Sequence, residues 1–313
     1  MLDRRLLFVT GKGGVGKTSV AAALALVGAA QGKRTLLCEI DEKGDLARAF
    51  ETGPLEYRPR EISPRLWAMR MDTEQSLKEY LRELRIPLVG RIGPLARVFD
   101  FVAHAAPGVR EILTVGKLAF EVRENHFDLV VVDSPATGHV IGQLASPEAI
   151  REVVHVGVVR SQVQWILEML QDPATTGAVI VTTPEEMPVT ETIELIERLD
   201  VEAHVDLAAV VVNQLLPELF TSREEALFDR LRKPAMTKYL VQHVGPGAPA
   251  VLHAAALAVT RRRSRVEHVE RLLQAIPEGV EPLFVPFVFA RRRGVRSLRQ
   301  LADAISGELG VEP

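Results

Sequence analysis

Short apolar runs alternate with amphipathic stretches along the whole chain. Runs of strand length fall at 6–10, 35–40, 66–71, 129–133, 178–182, 208–213 and 283–286. Most place apolar side chains at consecutive positions, so both faces of these strands need cover, as in a parallel sheet between two helical layers. The segments between them repeat with helical period, which predicts helices over 17–31, 187–199, 221–243, 250–275 and 296–309. Two stretches break the rhythm. Residues 73–126 and 143–174 separate successive strands with mostly helical pattern, which predicts helical additions above the sheet end where ligand sites of such folds lie. No internal repeat or low-complexity linker divides the chain. The expected architecture is one α/β domain over 1–313, a mostly parallel sheet with helices on both faces and a helical subdomain.

Residues Gly11 to Thr18 read GKGGVGKT, directly after the first apolar run and before an Ala/Leu-rich helical stretch. That is the strand, glycine loop and helix order of a phosphate-binding loop, and it makes the fold a P-loop NTPase. Gly11 and Gly16 let the backbone turn so that consecutive N–H groups point inward at an anion, helped by the helix dipole, and Gly13, Gly14, Val15 and Ser19 complete the candidate nucleotide-binding set. Lys17 is placed to reach the β/γ-phosphates and Thr18 to meet Mg²⁺. The second lysine, Lys12, stands at the loop mouth, too early to wrap its own phosphates.

Three further strand ends carry chemistry. Val130-Val131-Val132-Asp133 is an apolar strand delivering a carboxylate to the phosphate edge, where it holds Mg²⁺ usually through water. Asp41 leaves the second strand where a carboxylate orients the water that attacks the γ-phosphate. Asn213 ends the strand Val210-Val211-Val212 and offers a donor and an acceptor in one plane, which suits the edge of adenine but also suits a turn.

Together these motifs resemble the arsenite-pump and tail-anchored-protein-targeting ATPases, and the resemblance spans residues 6 to about 300 in family order. GKGGVGKT is similar to their deviant phosphate loop, in which the first lysine crosses a dimer interface to the partner's nucleotide. The resemblance implies a homodimer, or a heterodimer with a paralogous ATPase. Asp133-Ser134-Pro135-Ala136-Thr137-Gly138-His139 resembles their switch II loop, with Gly138 as a pivot and His139 either a reporter of the γ-phosphate or a plain helix-start residue. Asp41 and Ala49-Phe50 match the ends of switch I, but Glu42, Lys43 and Gly44 replace its Pro-Ala-His. Val212-Asn213-Gln214-Leu215-Leu216 is similar to their adenine-reading segment. Val285-Pro286-Phe287 with Arg293-Gly294 is similar to the adenine-covering loop, placing Pro286 and Phe287 on the base. Pro107-Gly108 falls at a helix start of the helical subdomain. The implied activity is Mg²⁺-dependent ATP hydrolysis, with Asp41, Lys12 and Lys17 as catalytic residues.

Composition sharpens what is excluded. At 313 residues, 47% hydrophobic, the chain affords a full core, and a net charge of −3 gives no global attraction to nucleic acid or anionic lipid. The arginine runs 261–263 and 291–293 adjoin apolar-periodic segments and read as solvated positions. Cys38 is the single cysteine, which excludes an internal disulfide, a CxxC clasp and a metalloid-binding cysteine cluster. No apolar run approaches the roughly 18 residues that cross a bilayer, and the opening residues enter the first strand without a leader pattern. The expectation is a cytoplasmic protein with no integral membrane segment.

Cargo is the open point. Only Met169 lies in 143–174 and no methionine in 73–127, which argues against a Met-rich groove for a transmembrane helix, although a tail-anchored-protein targeting factor stays an alternative. The helix after 298 carries Asp303 and Glu308 and no lysine, against a membrane- or DNA-patterning ATPase. The altered switch I leaves open a weakly active subunit of a heterodimer. Leu88, Ile92, Leu95, Phe99 and Val102, and Val159, Val163, Ile166 and Leu170, recur at helical spacing as core or as a groove for a protein partner.

Overall fold

The computed structural model describes residues 1–41, 44–83, 108–153, 157–218, 220–289 and 294–312. Its strands are β1 (Leu6–Thr10), β2 (Thr35–Glu39), β3 (Arg60–Ser63), β4 (Leu66–Arg70), β5 (Leu129–Asp133), β6 (Thr176–Thr182), β7 (Leu207–Leu215) and β8 (Pro282–Pro286). They form one sheet in the order β3-β4-β2-β5-β1-β6-β7-β8. Pairing is parallel except between β3 and β4. The seven expected strands are present. The added β3 is an exposed antiparallel edge of sequence REIS, and it lacks the apolar run that marks a two-sided strand.

The helices are α1 (Lys17–Ala30), α2 (Asp45–Ala49), α3 (Thr73–Glu83), α4 (Val109–Arg123), α5 (Thr137–Val153), α6 (Val158–Gln171), α7 (Glu186–Arg198), α8 (Ser222–Leu231), α9 (Pro234–Val244), α10 (Ala248–Ala275) and α11 (Val295–Leu309). The helix expected over 221–243 is two helices. Lys233 takes extended backbone (φ −65°, ψ 139°) ahead of Pro234, because a residue before proline is pushed out of the helical region. A capping box between Thr221 and Glu224 starts α8. Thr137, Gly138 and His139, read from sequence as part of a loop, form the first turn of α5.

Alternate residues of the central strands serve different cores. Leu6 and Phe8 face a layer containing Leu118 and Val122 of α4, Leu144 of α5 and Ile166 and Leu170 of α6. Leu7 and Val9 face the other, with Val20 to Val27 of α1 and Leu298 and Ile305 of α11. The stripe Val163, Ile166 and Leu170 is therefore core, and only Val159 of that set stands exposed. The stripe Leu88 to Val102 lies outside the described residues, as do Glu42, Lys43, Pro107 and the arginines 291–293. Among the described residues no helix is long and apolar enough to cross a membrane.

Candidate functional site

At its C-terminal end β1 lies between β5 and β6, while the chain leaves it for β2 on the far side of β5. Such a switch in strand order opens a crevice above the strand ends. A cleft of about 950 Å³ occupies it, lined by Gly13, Gly14, Gly16, Lys17, Thr18, Ser19, Glu39, Asp41, Asp133, Asn213, Pro286 and Phe287 among others. Thus every outlying strand-end candidate shares one cavity with the glycine loop.

The loop geometry explains its glycines. Gly11 has φ +143° and sits so close to β6 that a Cβ would stand 2.0 Å from the Val181 carbonyl oxygen. Gly14 and Gly16 have φ +89° and +97°, left-handed conformations that side chains resist. Gly16 is the N-cap of α1 and supplies no side-chain cap, which leaves first-turn N–H groups of α1 to an anion. Val15 is buried and anchors the loop. Lys17 Nζ donates to the Lys12 carbonyl at 3.1 Å, holding the lysine along the loop. Lys12 itself pairs with Glu191 of α7, both side chains about one-third exposed (32% and 28%).

A cluster of carboxyls faces the loop from β2 and β5. Asp133 is 7% exposed. Burial pushes its carboxyl up to about 7; the Thr18 hydroxyl and the Lys17 charge pull it back, while Glu39 and Asp41 push it further. Glu39 is the register partner of Asp133 across β2 and β5. Its Oε1 accepts from the backbone N–H of Asp45 at 2.7 Å and of Leu46 at 3.3 Å, and burial likewise raises its carboxyl. Asp41, two residues on, lines the same cleft.

The other end of the cleft is mixed amide and aromatic. Asn213 Nδ2 donates to the Val15 carbonyl at 2.8 Å, and its Oδ1 accepts from Gln214 N–H at 2.9 Å. The amide therefore braces the glycine loop from β7. Phe287 N–H donates to the Leu215 carbonyl at 2.8 Å, and its ring lies 4.7 Å from that of Phe289. Pro286 and Phe287 thus form an apolar wall beside the Asn213 end, as flat bases require. His139 is exposed in the first turn of α5 and does not line the cleft.

Sequence reasoning assigned no role to Glu39, Glu191 or Phe289. Glu39 had a visible signal, a carboxylate two residues before Asp41 at the end of a buried strand, whereas Glu191 meets Lys12 across 179 residues of chain with no local mark.

The model of the family described as Anion-transporting ATPase matches residues 4–164 and 155–243. ATPase BagA of Mycobacterium tuberculosis is 33% identical over 225 residues, 68% of this chain and 66% of that protein. The chain thus spans just under two thirds of that relative's length. A putative arsenical pump-driving ATPase of Aquifex aeolicus is 28% identical over 75% of this chain and 87% of its own length. ATPase get3 of Schizosaccharomyces japonicus is 26% identical over 75% and 81%. The matched region carries the glycine loop, Asp41, Asp133 and Asn213, the residues that converge on the cleft, and the chain belongs to the anion-transporting ATPase family.

Proposed function

We propose that the chain binds ATP with Mg²⁺ and hydrolyses it to ADP and phosphate, as a dimeric switch for a partner or cargo still to be assigned. The carrying observation is the convergence of the glycine loop, Lys17 and the Thr18–Asp133 pair on one cleft with an apolar wall. The triphosphate lies along the loop, Lys17 turns from the Lys12 carbonyl to the β/γ-phosphates, and the base stacks by Pro286 and Phe287. Thr18 and Asp133 fit a hydrated hard cation, because a buried carboxyl held near 7 beside two other acids gains from a positive neighbour. Bound there, Mg²⁺ supplies charge stabilisation for phosphoryl transfer. Asp41 orients the attacking water, and catalysis is otherwise positioning.

Asp41→Asn is expected to lower kcat about a hundredfold while ATP affinity stays within about twofold, since the water is engaged only for chemistry. Steady-state phosphate release and titration calorimetry on the same preparation check it. Unchanged turnover would move the water to another residue.

Dimer closure follows from Lys12. Its pairing with Glu191 is about one-third exposed and lies outside the cleft lining, and exchange of that carboxylate for a partner's phosphates is the motion that we assign to closure. The helices following Asp133, α5 and α6, connect the phosphate end to the rest of one continuous domain.

Asn213 has two roles to separate. As a reader of adenine it must leave the Val15 carbonyl; as a brace it keeps it. Asn213→Ala is expected to erase most of a preference for ATP over GTP, the result of losing a base contact. Equal weakening of both nucleotides in competition binding would assign the side chain to the loop alone.

A further inference from the structure

Glu39 is a buried acid that the hydrolytic scheme leaves without work. It is 2% exposed, at the last position of β2, and lines the cleft beside its register partner Asp133. Its two oxygens live differently. Oε1 is spent on the N–H groups of Asp45 and Leu46, which begin α2. Oε2 is buried and, among the described residues, has no hydrogen-bond partner. A buried carboxylate oxygen without a partner is costly, and a site that keeps one is arranged for a donor that arrives.

We propose that Glu39 is a positioning residue that couples the bound cation and phosphates to switch I. Oε2 takes a hydrogen bond from water held by the Mg²⁺–triphosphate, while Oε1 keeps hold of α2, so that arrival of the nucleotide ties the phosphate end of the cleft to the first turn of α2. Asp41 lies two residues after Glu39 and lines the same cleft, so a Glu39 side chain held at both oxygens sets where Asp41 stands. Arg48 and Ala49 of α2 line the same cleft, so a shift of this helix also reshapes its wall. The device suits a switch I that lacks the Pro-Ala-His stiffening of the family it resembles: here a side chain from the strand does the fastening.

The proposal rests on the Mg²⁺–ATP reading above, and the test separates the two. Hydrogen exchange of the Asp45 and Leu46 amides is measured in the full chain, without nucleotide and with an ATP analogue in Mg²⁺ or in chelator. The parent is expected to gain protection in Mg²⁺–analogue. Glu39→Gln keeps a carbonyl oxygen for the two amides but offers an NH₂ where the carboxylate oxygen was. Its nucleotide-free exchange is expected to match the parent, its gain in Mg²⁺–analogue to be lost, and kcat to fall about tenfold with KM little changed. Glu39→Ala is expected to speed exchange of both amides about tenfold even without nucleotide. Parent-like gain in Glu39→Gln overturns the coupling while leaving ATP binding intact. No Mg²⁺-dependent gain in a parent that binds the analogue also overturns it, and a parent that binds no analogue removes the underlying reading along with it.

Discussion

Lys17→Ala is expected to lose ATP binding at concentrations where the parent saturates. In the proposed complex the ammonium makes charge-assisted contacts to both the β- and γ-phosphates in a partly desolvated cleft, and such contacts contribute about 1.5–3 kcal/mol each, so loss of the two lowers affinity on the order of a hundredfold or more. Loss of its charge also leaves the acids facing the loop less compensated, since Lys17 is one of the groups drawing the Asp133 carboxyl back down. Lys12→Ala is expected to behave differently. Its ammonium is paired with Glu191 and does not line the cleft, so the isolated chain keeps measurable binding while the proposed nucleotide-dependent dimer closure, and turnover with it, weaken. Titration calorimetry compares the two variants, and equal loss of binding in both would defeat this division of roles.

The largest stability effect is expected at Gly11. Alanine there places a methyl carbon 2.0 Å from the Val181 carbonyl oxygen, a backbone atom of the fully buried β6, at a φ of +143° that alanine resists. Neither partner is a flexible side chain that can step aside, so strand and loop must separate. Strain and overpacking together cost about 3 kcal/mol or more, a drop in Tm of roughly 5 °C or more for a chain of this size. Gly14→Ala is the control. With φ +89° and nothing within 4 Å of an added Cβ, it carries only the conformational penalty of about 1–2 kcal/mol. The shift in thermal unfolding should be about twofold or more larger for Gly11→Ala than for Gly14→Ala; similar shifts would mean that the β6 contact does not hold the loop.

What the chain displays openly is whatever has a local physical mark. Gly11 to Thr18 is legible because a phosphate loop needs glycine at particular backbone angles, and the observed φ values at Gly11, Gly14 and Gly16 meet that need. The β5 run ending in Asp133 is legible because a doubly covered strand must be continuously apolar. The edge strand β3 is polar, with two exposed residues followed by two half-buried ones, so it shows neither an apolar run nor clean alternation. The break at Pro234 is marked by the proline itself, but the apolar period on either side continues closely enough to read as one helix. Side-chain partnerships carry least local signal of all. Lys12 with Glu191, and Asn213 with the Val15 carbonyl across 198 residues, are properties of the folded sheet order. Glu39 falls between: its place at the strand end is visible, its grip on α2 is not.

The most direct measurement of the central claim is phosphate release by the purified chain with ATP, in excess Mg²⁺ and in chelator, beside Lys17→Ala under the same conditions. Turnover that needs Mg²⁺ and is absent from Lys17→Ala is the expected result. Turnover that persists in chelator, or that Lys17→Ala retains at the parent's rate, would contradict it.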